Sequence, residues 1–353
     1  MKIVTVVGAR PQFIKAAAVS NILRKKHTEI LIHTGQHYDT NMSEIFFEEL
    51  NIPKPNYNLS VGSGGHGKQT GEMMEKLEEI YKKEKPDCVL VYGDTNSTLA
   101  GALVASKMLI PVAHVEAGLR SFNKNMPEEQ NRILTDHISK FLFIPTESAK
   151  LNLKNEGINN GVHNVGDVMF DAVLHFKTIA AQKSKIISEL GLEKNEYILT
   201  TIHRAENTNS IDRLRNIIEA LNESKENIVL PLHPRTKKYM DDYGLKFNEN
   251  IKIINPIGYL DMLSLEANSK KIVTDSGGVQ KEAFFMSKPC ITMRDETEWI
   301  ETVENGWNII VGTDKEKILD AIKNFIPKKE KEDIFGDGKA GQKINDLLEV
   351  SIH

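Results

Sequence analysis

Several side chains capable of acid–base or anion-binding chemistry stand immediately after short apolar runs. Asp94 and Glu116 each follow such a run, and Glu128 and Glu129 come 12 and 13 residues after Glu116, behind Pro127. Clustered carboxylates can hold one another's pKa values apart, so that one serves as base while another serves as acid. Asp94 could also cap a helix, and Glu128 and Glu129 could simply complement a helix dipole. Glu116 stands two residues ahead of Gly118 and caps no evident helix. His203 and His233 hold equivalent positions after two runs in the second half of the chain; a lone histidine in such a place is often structural. Thr274-Asp-Ser-Gly-Gly278 follows another run and opens a helical pattern, Val279–Met286. Backbone N–H groups at a helix start form an anion site, and glycines let a diphosphate approach. Asp275 or Ser276 could equally be an ordinary cap. Glu282, one turn beyond Gly278, is suited to ribose hydroxyls, and Arg10 and Lys15 flank a helix start behind Pro11.

These residues need a scaffold that collects strand ends. Strand patterns fall at Ile3–Val7, Ile30–His33, Cys88–Tyr92, Val112–Val115 and Phe141–Pro145. Helical patterns lie between or after them at Gln12–Lys25, Met42–Leu50, Gln69–Glu84, Ser97–Met108, Glu128–Ser139 and Ser148–Glu156. The layout restarts with Tyr197–Ile202, Ile228–Leu232, Ile251–Ile254, Lys271–Asp275 and Cys290–Met293. Alternating short apolar strands and longer helices predict parallel α/β sheets covered on both faces. Ligands then bind beyond the carboxyl ends of the strands. The expectation is two Rossmann-like domains facing a cleft, with a boundary near Gly166.

The 353 residues suit two domains. With 45 Lys plus Arg against 49 Asp plus Glu, the net charge is −4, which argues against a nucleic-acid partner. Cys88 and Cys290 sit inside strand patterns and read as buried, reduced thiols rather than a disulfide. No run approaches the roughly 18 apolar residues of a membrane span, and no signal-peptide pattern precedes the first strand. A cytoplasmic protein is expected. The charged run Lys328–Asp333 reads as a solvated connection. Gly62-Ser-Gly-Gly-His-Gly67 formally matches a dinucleotide fingerprint but lacks a firm strand before it. It reads as a mobile Gly-rich loop.

Taken in order, the strand-end turns resemble the non-hydrolysing UDP-N-acetylglucosamine 2-epimerases. The resemblance rests on Gly8-Ala-Arg-Pro, Thr34-Gly-Gln-His, Gly93-Asp-Thr-Asn, His114-Val-Glu-Ala-Gly-Leu-Arg, Met126-Pro-Glu-Glu-Gln-Asn-Arg, His203-Arg-Ala-Glu-Asn, Thr274-Asp-Ser-Gly-Gly-Val-Gln-Lys-Glu and Gly336-Asp-Gly-Lys-Ala. It implies the glycosyltransferase-B type of fold: residues 1–166, completed by a returning C-terminal helix over 338–353, and a UDP-binding domain over 167–337. It further implies a homodimer acting on a UDP-sugar without metal or nicotinamide cofactor. The reaction implied is C2 epimerisation of UDP-GlcNAc to UDP-ManNAc, through elimination of UDP to a 2-acetamidoglucal and re-addition. Carried over by position, Asp94, Glu116, Glu128 and His203 become catalytic, while Arg10, Lys15, Ser276, Gly277, Gly278 and Glu282 bind UDP. Gln36, His37, Gln69 and His233 resemble positions that contact a second, activating UDP-sugar in some bacterial members. Two positions depart from the pattern. Lys68 replaces an Arg of those members, and Trp299 replaces a nucleotide-contacting Arg. A similar Trp occurs in relatives that epimerise UDP-2,3-diacetamido-glucuronic acid, which gives an alternative substrate. A UDP-sugar-dependent glycosyltransferase is a further alternative, one that leaves the carboxylate cluster unexplained.

Overall fold

The computed structural model describes residues 1–36 and 54–351. The expected helix Met42–Leu50 and the candidate residue His37 lie outside the described residues. The chain divides into two units, Met1–His175 with Asp333–His353, and Phe176–Glu332.

The first unit is built on a wholly parallel seven-stranded sheet: β1 (Lys2–Val7), β2 (Thr28–His33), β3 (Tyr57–Asn58), β4 (Cys88–Tyr92), β5 (Val112–Val115), β6 (Phe141–Ile144) and β7 (Val162–Asn164). Their spatial order is β3-β2-β1-β4-β5-β6-β7. β4 is wholly buried, because helices cover both faces of such a sheet. Helix Asn96–Lys107 approaches the β1–β4 pair closely because small residues line it. A Cβ at Gly101 would lie 3.2 Å from Val91 and 3.3 Å from Val6. The sequence patterns found the five longer strands. The short β3 and β7 carry too few residues to show a period of two.

The second unit repeats the plan with β8 (Ile198–Thr201), β9 (Ile228–Pro231), β10 (Ile251–Ile254), β11 (Lys271–Thr274), β12 (Cys290–Thr292) and β13 (Asn308–Ile310), ordered β10-β9-β8-β11-β12-β13. Helix Ile211–Ser224 buries Leu214, Ile217, Ile218 and Leu221, the i, i+3, i+4, i+7 stripe of an amphipathic helix. Each such side chain contributes about 1.5–3 kcal/mol on burial. Both expected thiols are buried and unpaired, one in β4 and one in β12, with burial pushing each up to about 12.

The division falls inside helix Val168–Lys183, not at Gly166. The start of that helix belongs to the first unit because Val168, Met169, Ala172 and Val173 are buried there, and the Asp167 N–H donates to the Phe335 carbonyl at 2.9 Å. The C-terminal helix Ala340–Ser351 packs on helix Arg10–Leu23. Asp171 accepts from the N–H groups of Ala340 (3.1 Å) and Gly341 (2.8 Å) at its start.

Gly8 closes β1 where backbone and side chains converge. A Cβ there would stand 2.1 Å from Ser97 Oγ and 2.3 Å from Thr34 Oγ1, both buried. Gly8→Ala is expected to destabilise the fold by about 1–3 kcal/mol through overpacking, read as a lower urea midpoint. An unchanged midpoint would show that the turn repacks freely.

Candidate functional site

In both sheets the strand order reverses beside the first strand of the unit, between β1 and β4 and between β8 and β11. Crevices open at such points, above the carboxyl ends of the strands. The sequence-predicted residues gather there in each unit.

In the first unit, Gln12 ties the two turns together. Its Oε1 accepts from the N–H groups of Gly8 (2.8 Å) and Ala9 (3.0 Å), and its Nε2 donates to the Tyr92 carbonyl (2.7 Å). Arg10 is the first residue of the helix that follows β1. Past Gly93, Asp94 is not the cap of the next helix. Thr95 fills that role by accepting from the Thr98 N–H at 3.3 Å, and the Asp94 carboxylate instead pairs with Arg132 while staying about one-third exposed. Asn131 Nδ2 holds the Asp94 carbonyl at 3.0 Å.

Glu116 adopts a left-handed backbone, φ 68°, a conformation that costs a non-glycine residue about 1–3 kcal/mol. The N–H groups of Glu116 and Ala117 both donate to the Phe143 carbonyl, at 3.1 and 3.2 Å. Its carboxylate pairs with Lys15 in a nearly buried contact. A Cβ at Gly93 would lie 3.5 Å from Glu116 Oε2 and 3.8 Å from Lys15 Nζ, so this ion pair adjoins the Asp94 turn. Glu128 is exposed in the first helical turn behind Pro127. No contact among the described residues joins it to Asp94 or Glu116. Its neighbour Glu129 is buried and structural, accepting from the N–H groups of Ser121 and Phe122 at 2.9 Å each and from Arg132 at 2.9 Å.

Beneath these turns lies a buried network. His114 Nδ1 stands 2.7 Å from Asp136, and its Nε2 stands 2.7 Å from the Gly93 carbonyl. Asp136 also accepts from the Gly118 N–H (3.0 Å) and Arg120 (2.7 Å), and Arg120 grips Glu156 with two bonds of 2.6–2.7 Å. Burial opposes ionisation of Asp136, but His114 and Arg120 outweigh it and hold the carboxyl below its ordinary value. Gln36 accepts from Ser97 N–H (3.1 Å) and Oγ (2.6 Å). Gln69 donates to the Gly62 carbonyl (3.0 Å), anchoring the Gly-rich loop, and accepts from Asn96 (2.8 Å).

In the second unit the organiser is Asp275, which is wholly buried. It does not cap the following helix. Its carboxylate accepts from the N–H groups of His203 and Arg204 and from Asn207 Nδ2, all at 3.1 Å, and faces His203 Nδ1 at 3.4 Å. His203 itself remains 42% exposed. Ser276 is the cap, accepting from the Val279 N–H at 3.5 Å. Glycines 277 and 278 form the first helical turn. A Cβ at Gly277 would come within 2.3 Å of Glu298 Oε1. Burial opposes ionisation of Glu298, but Arg294 and Arg204 hold its carboxyl low. Trp299 is buried, with the Lys281 ammonium 3.9 Å above its ring, so a cation accompanies this aromatic residue. His233 caps helix Pro234–Tyr243, accepting from the Arg235 N–H at 3.2 Å, and its ring lies 6.2 Å from His203. Burial, with His203 and Arg235 nearby, lowers its pKa.

The sequence reading missed Gln12, Arg132, Asp136 and the loop-holding role of Asp275. Only the i, i+3 spacing of Glu129 and Arg132 offered a local signal. Gln12 also has local partners in Gly8 and Ala9, but its bond to Tyr92 and the contacts of Asp136 and Asp275 span 16 residues or more.

The sequence model of a family described as UDP-N-acetylglucosamine 2-epimerase matches residues 21–349. A "UDP-N-acetylglucosamine 2-epimerase homolog" of Methanococcus maripaludis is 60% identical, with 99% of each chain covered. A UDP-2,3-diacetamido-2,3-dideoxy-D-glucuronate 2-epimerase of Pseudomonas aeruginosa is 52% identical, again with 99% of each covered. The crystal structure of Methanocaldococcus jannaschii UDP-GlcNAc 2-epimerase, in complex with UDP-GlcNAc and UDP, is 49% identical. It superposes with a TM-score of 0.92, covering 99% of this chain and 100% of that one.

The Asp136 network carries a pH signature. A carboxyl held below its unfolded value contributes stability above that value and loses it as pH falls through the native one. Wild type is expected to exceed Asp136→Asn by about 3–5 kcal/mol at neutral pH. That margin should persist to about pH 4 and shrink only below it. Urea midpoints of both proteins from pH 7 to about pH 2 check this; a margin independent of pH would contradict it.

Proposed function

The chain belongs to the UDP-N-acetylglucosamine 2-epimerase family, and from that membership we propose that it interconverts UDP-GlcNAc and UDP-ManNAc. The carrying observation is the close match to the M. jannaschii enzyme, solved with UDP-GlcNAc and UDP. The strand-end groups add to it, with carboxylates in the first unit and a glycine-led helix start beside His203 in the second.

The proton on C2 is not adjacent to a carbonyl, so simple deprotonation is unsuited to neutral pH. In the proposed route a base takes the C2 proton as the C1–O bond to UDP breaks, leaving a 2-acetamidoglucal. UDP then re-adds its oxygen to C1 while an acid returns a proton to the other face of C2. Both half-reactions need carboxylates at C2 and a held leaving group. Asp94, Glu116 and Glu128 are assigned to that acid–base work, with His203 beside the leaving group. Asp94 is favoured as the primary group because its carboxylate is fixed by Arg132 yet partly open to a ligand. Arg10, Lys15, Ser276, Gly277, Gly278 and Glu282 are assigned to UDP. The helix start is open at Gly278, where a Cβ would meet only Ser276 Oγ at 3.9 Å, and its dipole suits a diphosphate; Glu282 is assigned to the ribose. Gln36, His37, Gln69 and His233 are assigned to a second UDP-sugar.

A second reading has its own support. Trp299 and the 52% identity to the diacetamido-glucuronate epimerase favour UDP-2,3-diacetamido-glucuronic acid as the substrate. Among the described residues no helix is long and apolar enough to cross a membrane. A cytoplasmic homodimer is proposed, and Leu109, Phe122, Leu134 and Leu151, left exposed on the first unit, are candidates for cover by the second copy.

Incubation with UDP-GlcNAc in D₂O, without acceptor, tests the reaction. The expected result by NMR is deuterium at C2 together with UDP-ManNAc. Exchange confined to the diacetamido uronate would transfer the assignment to the second reading, and exchange with neither sugar would refute epimerisation. Asp94→Asn is expected to lower exchange by at least about 100-fold while retaining UDP binding, measured by calorimetry. Loss of UDP binding alone would show that Asp94 holds the nucleotide instead.

A further inference from the structure

Helix Tyr259–Asn268 carries a carboxyl group into the core of the second unit. Glu266 is 0% exposed, and no N–H or O–H donor among the described residues reaches either carboxylate oxygen. Its charge would be felt by Tyr197 and Cys290, both members of an apolar cluster with Leu265, Val279 and Ala283. Tyr197 gives no help, since its hydroxyl donates to the Leu265 carbonyl at 2.6 Å. The group within hydrogen-bonding reach is the side chain of Glu282, on the packed helix Gly277–Phe285 and itself nearly buried.

Two ionised carboxylates are both acceptors and cannot bond to each other. The contact requires one proton between them, as in other buried carboxyl pairs. Burial first, and then Glu282, push Glu266 far above its ordinary value, so the proton resides on Glu266. A buried polar group of this kind is rarely retained for stability, because an apolar residue of similar volume would do as well or better.

We propose that Glu266 is a positioning residue: as a neutral acid it donates a hydrogen bond to Glu282 and fixes that carboxylate to receive the ribose hydroxyls of UDP. The inference rests on the assignment of Glu282 to the ribose. A carboxylate held from behind by a neutral acid keeps a fixed orientation and stays ionised, which suits it to accept from ribose hydroxyls. Glu266 touches no substrate and acts through Glu282.

Calorimetric binding of UDP, 2′-deoxy-UDP and 3′-deoxy-UDP tests this. Wild type is expected to favour UDP over each deoxy analogue by about tenfold or more, the value of a hydrogen bond to a charged group. Glu266→Leu is expected to bring those ratios to within about twofold. Glu266→Gln, whose amide still donates, should keep them near wild type. Should the Leu variant not fold, Glu266→Met serves as the donor-free replacement. Wild-type ratios in the donor-free variant, or a loss in Glu266→Gln as complete as in Glu266→Leu, would overturn the proposal. Glu282→Gln separates the two layers. Ratios lost there but kept in Glu266→Leu sink this inference alone, while wild-type ratios in Glu282→Gln remove the ribose assignment and this inference together.

Discussion

A parallel sheet covered on both faces leaves polar chemistry almost nowhere to go except the strand ends. β4 is apolar and buried along its whole length, and β11 is buried throughout, with Lys271 and Thr274 only at its two ends. The residues that follow them, Asp94 and Asp275, are the first carboxylates the chain can place without stranding a charge in the core. Because each sheet reverses its strand order beside its first strand, the turns there splay apart and their side chains converge above a gap. Both units obey the same rule without sharing sequence, so the common feature is topology, not motif.

What distinguishes the converging groups is how their charge is spent. Asp136, Glu129 and Asp275 are buried and saturated with donors: imidazole and guanidinium for the first, backbone N–H groups and Arg132 for the second, and backbone N–H groups with an amide for the third. They set loop shape. Asp94 and His203 stand on those loops and remain partly open. The saturated carboxylates thereby fix the backbone under the partly open groups, which is the preorganisation that the acid–base role proposed for Asp94 needs.

Ten strands and the turns that end them were legible in the sequence, because a strand of a covered sheet writes a short apolar run bounded by polar residues. The edge strands β3, β7 and β13 were not, each having only two or three residues and a neighbour on one side alone. Site residues were legible as types at strand ends, but their division of labour was not. Glu128 and Glu129 look alike in sequence, yet one is exposed and the other carries three loop contacts. Asp275 and Ser276 both looked like caps; the serine is one, and the aspartate reaches across 72 residues to His203. Such assignments depend on which distant backbone lies alongside, and local spacing holds no record of that. The boundary shows the same limit, since Gly166 looks like a break while the division falls within a continuous helix.

The two thiols offer a practical consequence. Cys88 and Cys290 are the chain's only cysteines, one sealed in each sheet, and burial keeps both in the unreactive protonated form. An introduced surface cysteine would therefore be the sole site for a maleimide dye. One such cysteine in each unit would make a donor–acceptor pair on an otherwise wild-type background, allowing separations between the units to be followed in solution while nucleotide is added.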